Sequence, residues 1–402
     1  MNSKILALAG VLCWLIWGGV SVASGAPAKA GSDRTTGVTA LPQPPEVAAR
    51  SFLLIDVTAN QILAAKNTDD PVEPGSLTKL MTAYLVFDAL KSKKIDLHQT
   101  VGISPNAAKM PGSRMFIDPT MQVPVEDLIK GMVVQSANDA TLALAEAVGG
   151  SAARFVEMMN QQAQVLGLND TRYKNPVGLT EPGHITTAHD LSTLALRLMV
   201  DFPQDRAYYA IKQYHYPGTP VGNSNNRNAL LFRDPVVDGL MAGHTDTAGY
   251  GLVATAQREV AGVGTRRLLS VVLGAGSDNA RVAESQKLLN WGYTAYEAVK
   301  LFDAGVPVAT PEVWKGDAKT LPLGQPHAMV VAVPAGSAAK LKTTLLRPDP
   351  LVAPFAKGQT VGTLKVTLAD QPYLELPILA LDRVEQAGIW GRAWDALRLW
   401  IQ

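Results

Sequence analysis

"EPGSLTKLMTAYLV", residues 73–86, sets two polar residues, Ser76 and Lys79, at the head of a mainly apolar run. Three residues of helix turn through about 300°, so the Ser76 hydroxyl and the Lys79 amine lie on one face within reach of each other. Leu77, Leu80, Met81, Tyr84 and Leu85 are residues that a protein interior takes, which predicts that this face is buried. Burial favours the neutral amine, and a neutral lysine can serve as a base toward a neighbouring hydroxyl. The pattern alone does not single out this pair, because S-x-x-K is common and Ser337 with Lys340 repeats it.

Upstream, "SFLLIDVTANQILAAKN" (51–67) holds two apolar runs about Thr58, Ala59 and Asn60, which predicts a β-hairpin. Downstream, to about Met199, apolar residues recur at three and four. "VPVEDLIKGMVVQSANDATLALAEAVG" reads as helical, and "TTAHDLSTLALRLMV" opens on a Thr187 and Asp190 capping pair. Past residue 235, Val237 to Leu240, "GLVATAQ" and "RRLLSVVLGAG" read as strands, and "RVAESQKLLNWGYTAYEAV" as a helix. Residues 49–298 are thus expected to form an α/β domain of the α+β kind, with helices packed on an antiparallel sheet. From 299 to 388 short strands such as "PHAMVVAVPAG", "TVGTLKVTLAD" and "YLELPILAL" predict a small β-rich domain.

The ends read differently. Residues 1–25 place Lys4 before an apolar run from Ile5 to about Val22 and then small residues, the layout of a signal peptide; an uncleaved anchor is the alternative. Residues 26–48, rich in Pro, Ala and Thr, read as a linker. Cys13, the only cysteine, lies in the apolar run, so the mature chain is expected to hold no disulfide or thiolate metal site. Residues 389–402 put Trp390, Trp394, Leu397 and Ile401 on one helical face and Arg392, Asp395 and Arg398 on the other. This is the pattern of a helix lying in a membrane interface, with docking on the protein's own surface as the alternative. Lys plus Arg number 36 against 35 Asp plus Glu, a formal charge of +1 that argues against a nucleic-acid partner.

Sixty residues after Ser76 comes "QSANDA", with Ser136 and Asn138, and 105 residues further "VDGLMAGHTDTAGYGLVA". S-x-N also occurs at Ser224 and Ser277, but only Ser136 follows one helical run and begins another. With "SLTKLMT", "MQVPVEDLI", "NRNALL" and "AESQKLLNWG", these stretches resemble the low-molecular-mass penicillin-binding proteins, serine-type D-alanyl-D-alanine carboxypeptidases. The resemblance runs from about Phe52 to the C-terminus and implies the β-lactamase and transpeptidase-like fold. It also implies removal of terminal D-alanine from peptidoglycan pentapeptide stems, β-lactams as covalent inhibitors, no cofactor, and a place at the periplasmic face of the cytoplasmic membrane. By it, Ser76 is the nucleophile, Lys79 the general base, Ser136 the proton relay, Asn138 a ligand for the substrate amide, and Arg281 a holder of its carboxylate.

One departure stands out. Between "VDGL" and "HTD" the family's Lys-Thr-Gly reads Met241, Ala242, Gly243. The missing lysine would be a cation beside Lys79 and Ser136; without it Lys79 is expected to hold its proton more tightly. The missing threonine would offer a hydroxyl to the carboxylate. Gly243 keeps the strand approachable, and the Ser76 and His244 N–H groups are expected to form an oxyanion hole. Alternation on a strand turns the His244 side chain away from the face used by Met241 and Gly243. No histidine shows zinc spacing. A class A β-lactamase would need a Glu with Asn four residues on, whereas Glu146, Glu157 and Glu181 are followed by Gly150, Gln161 and Ile185. A catalytically degraded wall-binding scaffold of the same fold stays open as the alternative function.

Overall fold

The computed structural model describes residues 41–388, so the expected signal segment, most of the linker and the terminal amphipathic helix lie outside the described residues. Strands β1 (Ser51–Asp56) and β2 (Gln61–Lys66) form the expected hairpin, with Asn60 at φ 52° in its turn. Asparagine tolerates that left-handed backbone better than most residues. β3 (Val237–Thr245), β4 (Gly249–Val260) and β5 (Gly264–Ala275) complete an antiparallel five-stranded sheet in the order β2-β1-β5-β4-β3.

Both faces of this sheet are covered, which is why β5 reads as a nearly unbroken apolar run. Alternate side chains serve the two sides. Leu53, Ile55, Val253, Leu269 and Val271 join one core; it is shared by α1 (Lys79–Lys91), α2 (Val125–Val134), α3 (Asn138–Gly149), α4 (Ala152–Val165) and α5 (Ala188–Asp201). Phe52, Leu54, Leu252, Leu268 and Val272 join a second core against α6 (Asp278–Ala295). α1 is buried nearly all round, as its apolar composition requires of a central helix. At α5, Thr187 Oγ1 accepts from the Asp190 N–H (3.1 Å), but the Asp190 carboxylate turns outward to Asp170 N and Thr171 Oγ1. The capping pair is therefore formed on one side only.

The helix expected through Val299 stops at Ala295. Tyr296, Glu297, Ala298 and Val299 belong instead to β6 (Tyr296–Phe302), paired antiparallel with β7 (Met329–Pro334). Apolar spacing there was compatible with either element, and the partner strand decides it. β8 (Leu341–Leu346), β9 (Thr360–Leu368) and β10 (Gln371–Ala380), with the short Leu323–Gly324 strand on the outer side of β10, make a four-stranded sheet around a third core. Polar contacts help tie this region to the first sheet. The Gln61 amide exchanges two hydrogen bonds with the Ala332 backbone (2.7 and 3.1 Å). The buried Arg266 donates to Asp56 (2.8 Å) and to the Tyr296 carbonyl (2.8 Å).

Candidate active site

The "EPGSLTK" stretch enters α1 through a 3-10 turn, Gly75–Thr78, rather than as α-helix from the start. Ser76 stays partly exposed on that turn while Lys79, the first residue of α1, is 0 % exposed. Lys79 Nζ donates to Ser76 Oγ (3.0 Å) and to the Val177 carbonyl (2.8 Å). Burial brings the amine down to about 7, with the nearby Asp139 carboxylate pulling the other way. Its depressed basicity thus comes from desolvation, with no second cation needed.

Ser136 sits in the break between α2 and α3 at φ 54°, a left-handed backbone that a non-glycine residue adopts only where its surroundings hold it. The neighbours do so: Ala137 N donates to Gly131 O (3.1 Å) and the Gln135 carbonyl accepts from Ser113 Oγ (2.7 Å). The Ser136 hydroxyl is buried without a hydrogen-bond partner among the described residues. So is Asn138 Oδ1, whereas Asn138 Nδ2 donates to Pro111 O (2.6 Å). That bond fixes the amide so that its free atom is an acceptor.

Two glycines let three backbones meet at Ser76. A Cβ on Gly178, at φ 90°, would lie 1.8 Å from the Gly75 carbonyl oxygen, and one on Gly243 would lie 2.8 Å from Pro74 O and 3.0 Å from Leu77 N. Only bare backbone fits at these approaches. The result is a cleft of about 350 Å³ lined by Ser76, Ser136, Asn138, Gly243, Arg227 and Arg281, among others.

Within the altered motif the expected alternation holds. Met241, 2 % exposed, packs in the helical core together with Leu77 and Leu80, Ala242 packs in the second core, and Ala242, Gly243 and His244 line the cleft. The exposed His244 side chain lies against Tyr250, its ring tilted with centroids 4.0 Å apart. Arg281 donates to the carbonyls of Gly243 (2.7 Å) and Gly251 (3.3 Å) and pairs with Asp278, so it braces the end of β3 as well as facing the cleft.

Four polar residues were not singled out as site residues by the sequence. Asp139 accepts from the N–H groups of Met115 (2.9 Å), Phe116 (2.7 Å) and Ile117 (3.3 Å), pinning the segment that carries Ser113 beside the cleft. A carboxylate in an otherwise apolar stretch of helix was the signal available for it. Arg227, inside the quoted "NRNALL", lines the cleft and donates to Ser113 Oγ (3.1 Å). Thr78 Oγ1 and His184 Nε2 lie 2.9 Å apart, and burial lowers the imidazole to about 4. The competing motifs have local structural uses: Ser277 caps α6, and Ser337 N donates to Glu297 in a 3-10 turn. Among the described residues no group of three His, Cys, Asp or Glu is placed to hold a metal.

Residues 38–277 match the D-alanyl-D-alanine carboxypeptidase family, and residues 296–386 match the penicillin-binding protein 5 C-terminal domain. The chain is 39% identical to the D-alanyl-D-alanine carboxypeptidase DacC of Escherichia coli over 359 residues, 87% of this chain and 88% of the relative. It is 36% identical to DacA of Haemophilus influenzae over 375 residues, 92% of this chain and 93% of that protein. The crystal structure of penicillin binding protein 5 from Haemophilus influenzae superposes with a TM-score of 0.79 at 34% identity, covering 86% of this chain and all of that one.

Proposed function

We propose, from the premise that this chain belongs to the serine-type D-alanyl-D-alanine carboxypeptidase family, that it removes the terminal D-alanine from peptidoglycan pentapeptide stems through an acyl-enzyme on Ser76. The observation that carries this reading is the desolvated Lys79 amine held 3.0 Å from the Ser76 hydroxyl. Ser76 Oγ attacks the D-Ala-D-Ala carbonyl as Lys79 takes its proton. The oxyanion meets the backbone N–H groups of Ser76 and His244; the His244 nitrogen passes 3.0 Å from where a Gly75 Cβ would be, which supports that pairing. Ser136 returns the proton to the leaving amine, and Asn138 Oδ1 accepts a stem N–H. Water then releases the shortened stem.

Recognition of the terminal carboxylate falls to Arg281 and Arg227, because Ala242 offers a methyl group where a threonine hydroxyl would stand. The unpartnered Ser136 hydroxyl and the apolar Met241 favour slow turnover, and they are also what supports a degraded wall-binding scaffold as the second reading. D-alanine release from a diacetylated Lys-D-Ala-D-Ala peptide separates the two. Lys79 is protonated and cannot act as base below about pH 7, so release is expected to be slow and to rise as pH passes through about 7. Absence of any release on long incubation at every pH favours the scaffold.

The reading places the enzyme outside the cytoplasm, exported by residues 1–25 and held at the membrane by residues 389–402. Among the described residues no helix is long and apolar enough to cross a membrane. Truncation before Ile389 is expected to move the mature protein from the membrane fraction to the soluble fraction without changing its thermal midpoint. Sedimentation with membranes after truncation, or a lowered midpoint, would give the segment another task.

A further inference from the structure

Thr78 stands between the proposed nucleophile and base, fully buried, and its hydroxyl meets His184 Nε2 at 2.9 Å. The other ring nitrogen, Nδ1, lies 3.3 Å from Asn175 Nδ2. Asn175 has its orientation fixed, since Oδ1 accepts from the N–H groups of Gly178 (2.8 Å) and Leu179 (3.0 Å). Its nitrogen is therefore a donor, shared among the Leu179 carbonyl (2.9 Å), Glu181 Oε2 (3.3 Å) and Nδ1, and with Nδ1 as an acceptor the imidazole hydrogen sits on Nε2 and points at Thr78 Oγ1. A doubly protonated ring would set hydrogen against hydrogen at Asn175.

What this network holds is the segment 175–179. Its Pro176 carbonyl accepts from Thr82 Oγ1 (2.7 Å), its Val177 carbonyl accepts from Lys79 Nζ (2.8 Å), and Gly178 closes over the Gly75–Ser76 backbone. Around the ring stand Glu181 and Glu73, which favour its charged form, Lys174, which opposes it, and the edge of Tyr173 at 5.9 Å between centroids. Lys79 faces Ser76, Val177 and the more distant Asp139.

We infer that His184 is a positioning residue for the acylation step: through Asn175 and Thr78 it clamps segment 175–179 onto the start of α1, keeping water from Lys79 and holding its amine between Ser76 and Val177. The inference rests on the reading of Ser76 and Lys79 as nucleophile and base, and adds a residue 106 positions from Thr78.

The test is the rate of covalent labelling by a fluorescent penicillin between pH 5 and pH 10.5, in the full chain and in His184→Phe, Thr78→Val and His184→Gln, with folding followed by circular dichroism. In His184→Phe the segment loosens, water reaches Lys79 and the midpoint of the rising limb moves up by about one pH unit or more toward the ordinary lysine range. Labelling at pH 7 then falls roughly fivefold or more, while the plateau at high pH stays within about twofold of the parent. Thr78→Val, which keeps shape and loses only the hydroxyl, shifts the midpoint in the same direction; it decides the matter if His184→Phe does not fold. His184→Gln retains a donor for Thr78 and is expected to recover part of the shift. A uniform loss of rate at all pH with the midpoint unmoved in the folded variants overturns the positioning role alone. No labelling of the unaltered chain at any pH overturns the Ser76 and Lys79 reading, and this inference with it.

Discussion

Ser76→Ala is expected to abolish covalent labelling by penicillin, read as the mass of the intact protein, while circular dichroism and thermal midpoint stay close to the parent. The hydroxyl accepts from Lys79 and sits on a partly exposed turn, so its removal leaves no cavity in the core. Lys79 keeps the Val177 carbonyl as a partner. No other S-x-x-K in the chain has comparable surroundings: the Ser337 turn belongs to the β-rich region and is bound to Glu297. The loss should therefore be complete rather than partial. Labelling that persists in the variant moves the nucleophile elsewhere and sinks the assignment.

Restoring the altered motif is expected to give the largest gain. Met241→Lys replaces one long unbranched side chain by another at a site that is 2 % exposed, and Ser136, buried without a partner, is the group the family resemblance sets beside the new amine. A second cation there lowers the Lys79 pKa below its present value of about 7 and raises acylation at neutral pH. Ala242→Thr adds a hydroxyl on the cleft side of β3, where a hydrogen bond to a substrate carboxylate is worth about 1.5–3 kcal/mol, roughly ten- to more than a hundredfold in kcat/KM. Both act on one bound substrate, so the double variant should exceed the product of the single gains, with a coupling of about 0.5–3 kcal/mol. D-alanine release compared across the four chains measures it. Full activity in the unaltered chain and no gain in the double variant would show that another residue has taken over the task.

Much of the architecture was readable because it rests on local spacing. Period-two and period-three-to-four patterns located the hairpin, the helical middle and the closing strands, and an apolar setting around Lys79 announced its burial. Ser76, Ser136, Asn138, Gly243, His244 and Arg281 come from separate parts of the chain and line one cleft. What escaped has no local signature. Asp139 works on amides 22 to 24 residues upstream, and His184 on a hydroxyl 106 residues away, so neither role exists until the chain has folded. Tyr296 to Val299 continue an apolar spacing that a helix could use, and only the pairing with β7 turns them into strand. For His244 the strand alternation was legible, whereas its ring contact with Tyr250 was not, because that partner is set by the register with the neighbouring strand.

The cleft's two walls grow from different cores. Leu77, Leu80, Met81, Ala137 and Ala140, which flank Ser76, Lys79, Ser136 and Asn138, pack in the helical core, whereas Ala242 packs with Leu252, Val282 and Leu288 in the core beneath α6, the helix that carries Arg281. A change in one wall can leave the packing of the other untouched. Chemistry and recognition are thereby separable in packing: the residue at 242 can change without disturbing the core that seats Ser76 and Lys79. On the proposed reading, a chain altered in this wall alone would still be acylated by β-lactams at Ser76 while it turned over its own substrate slowly.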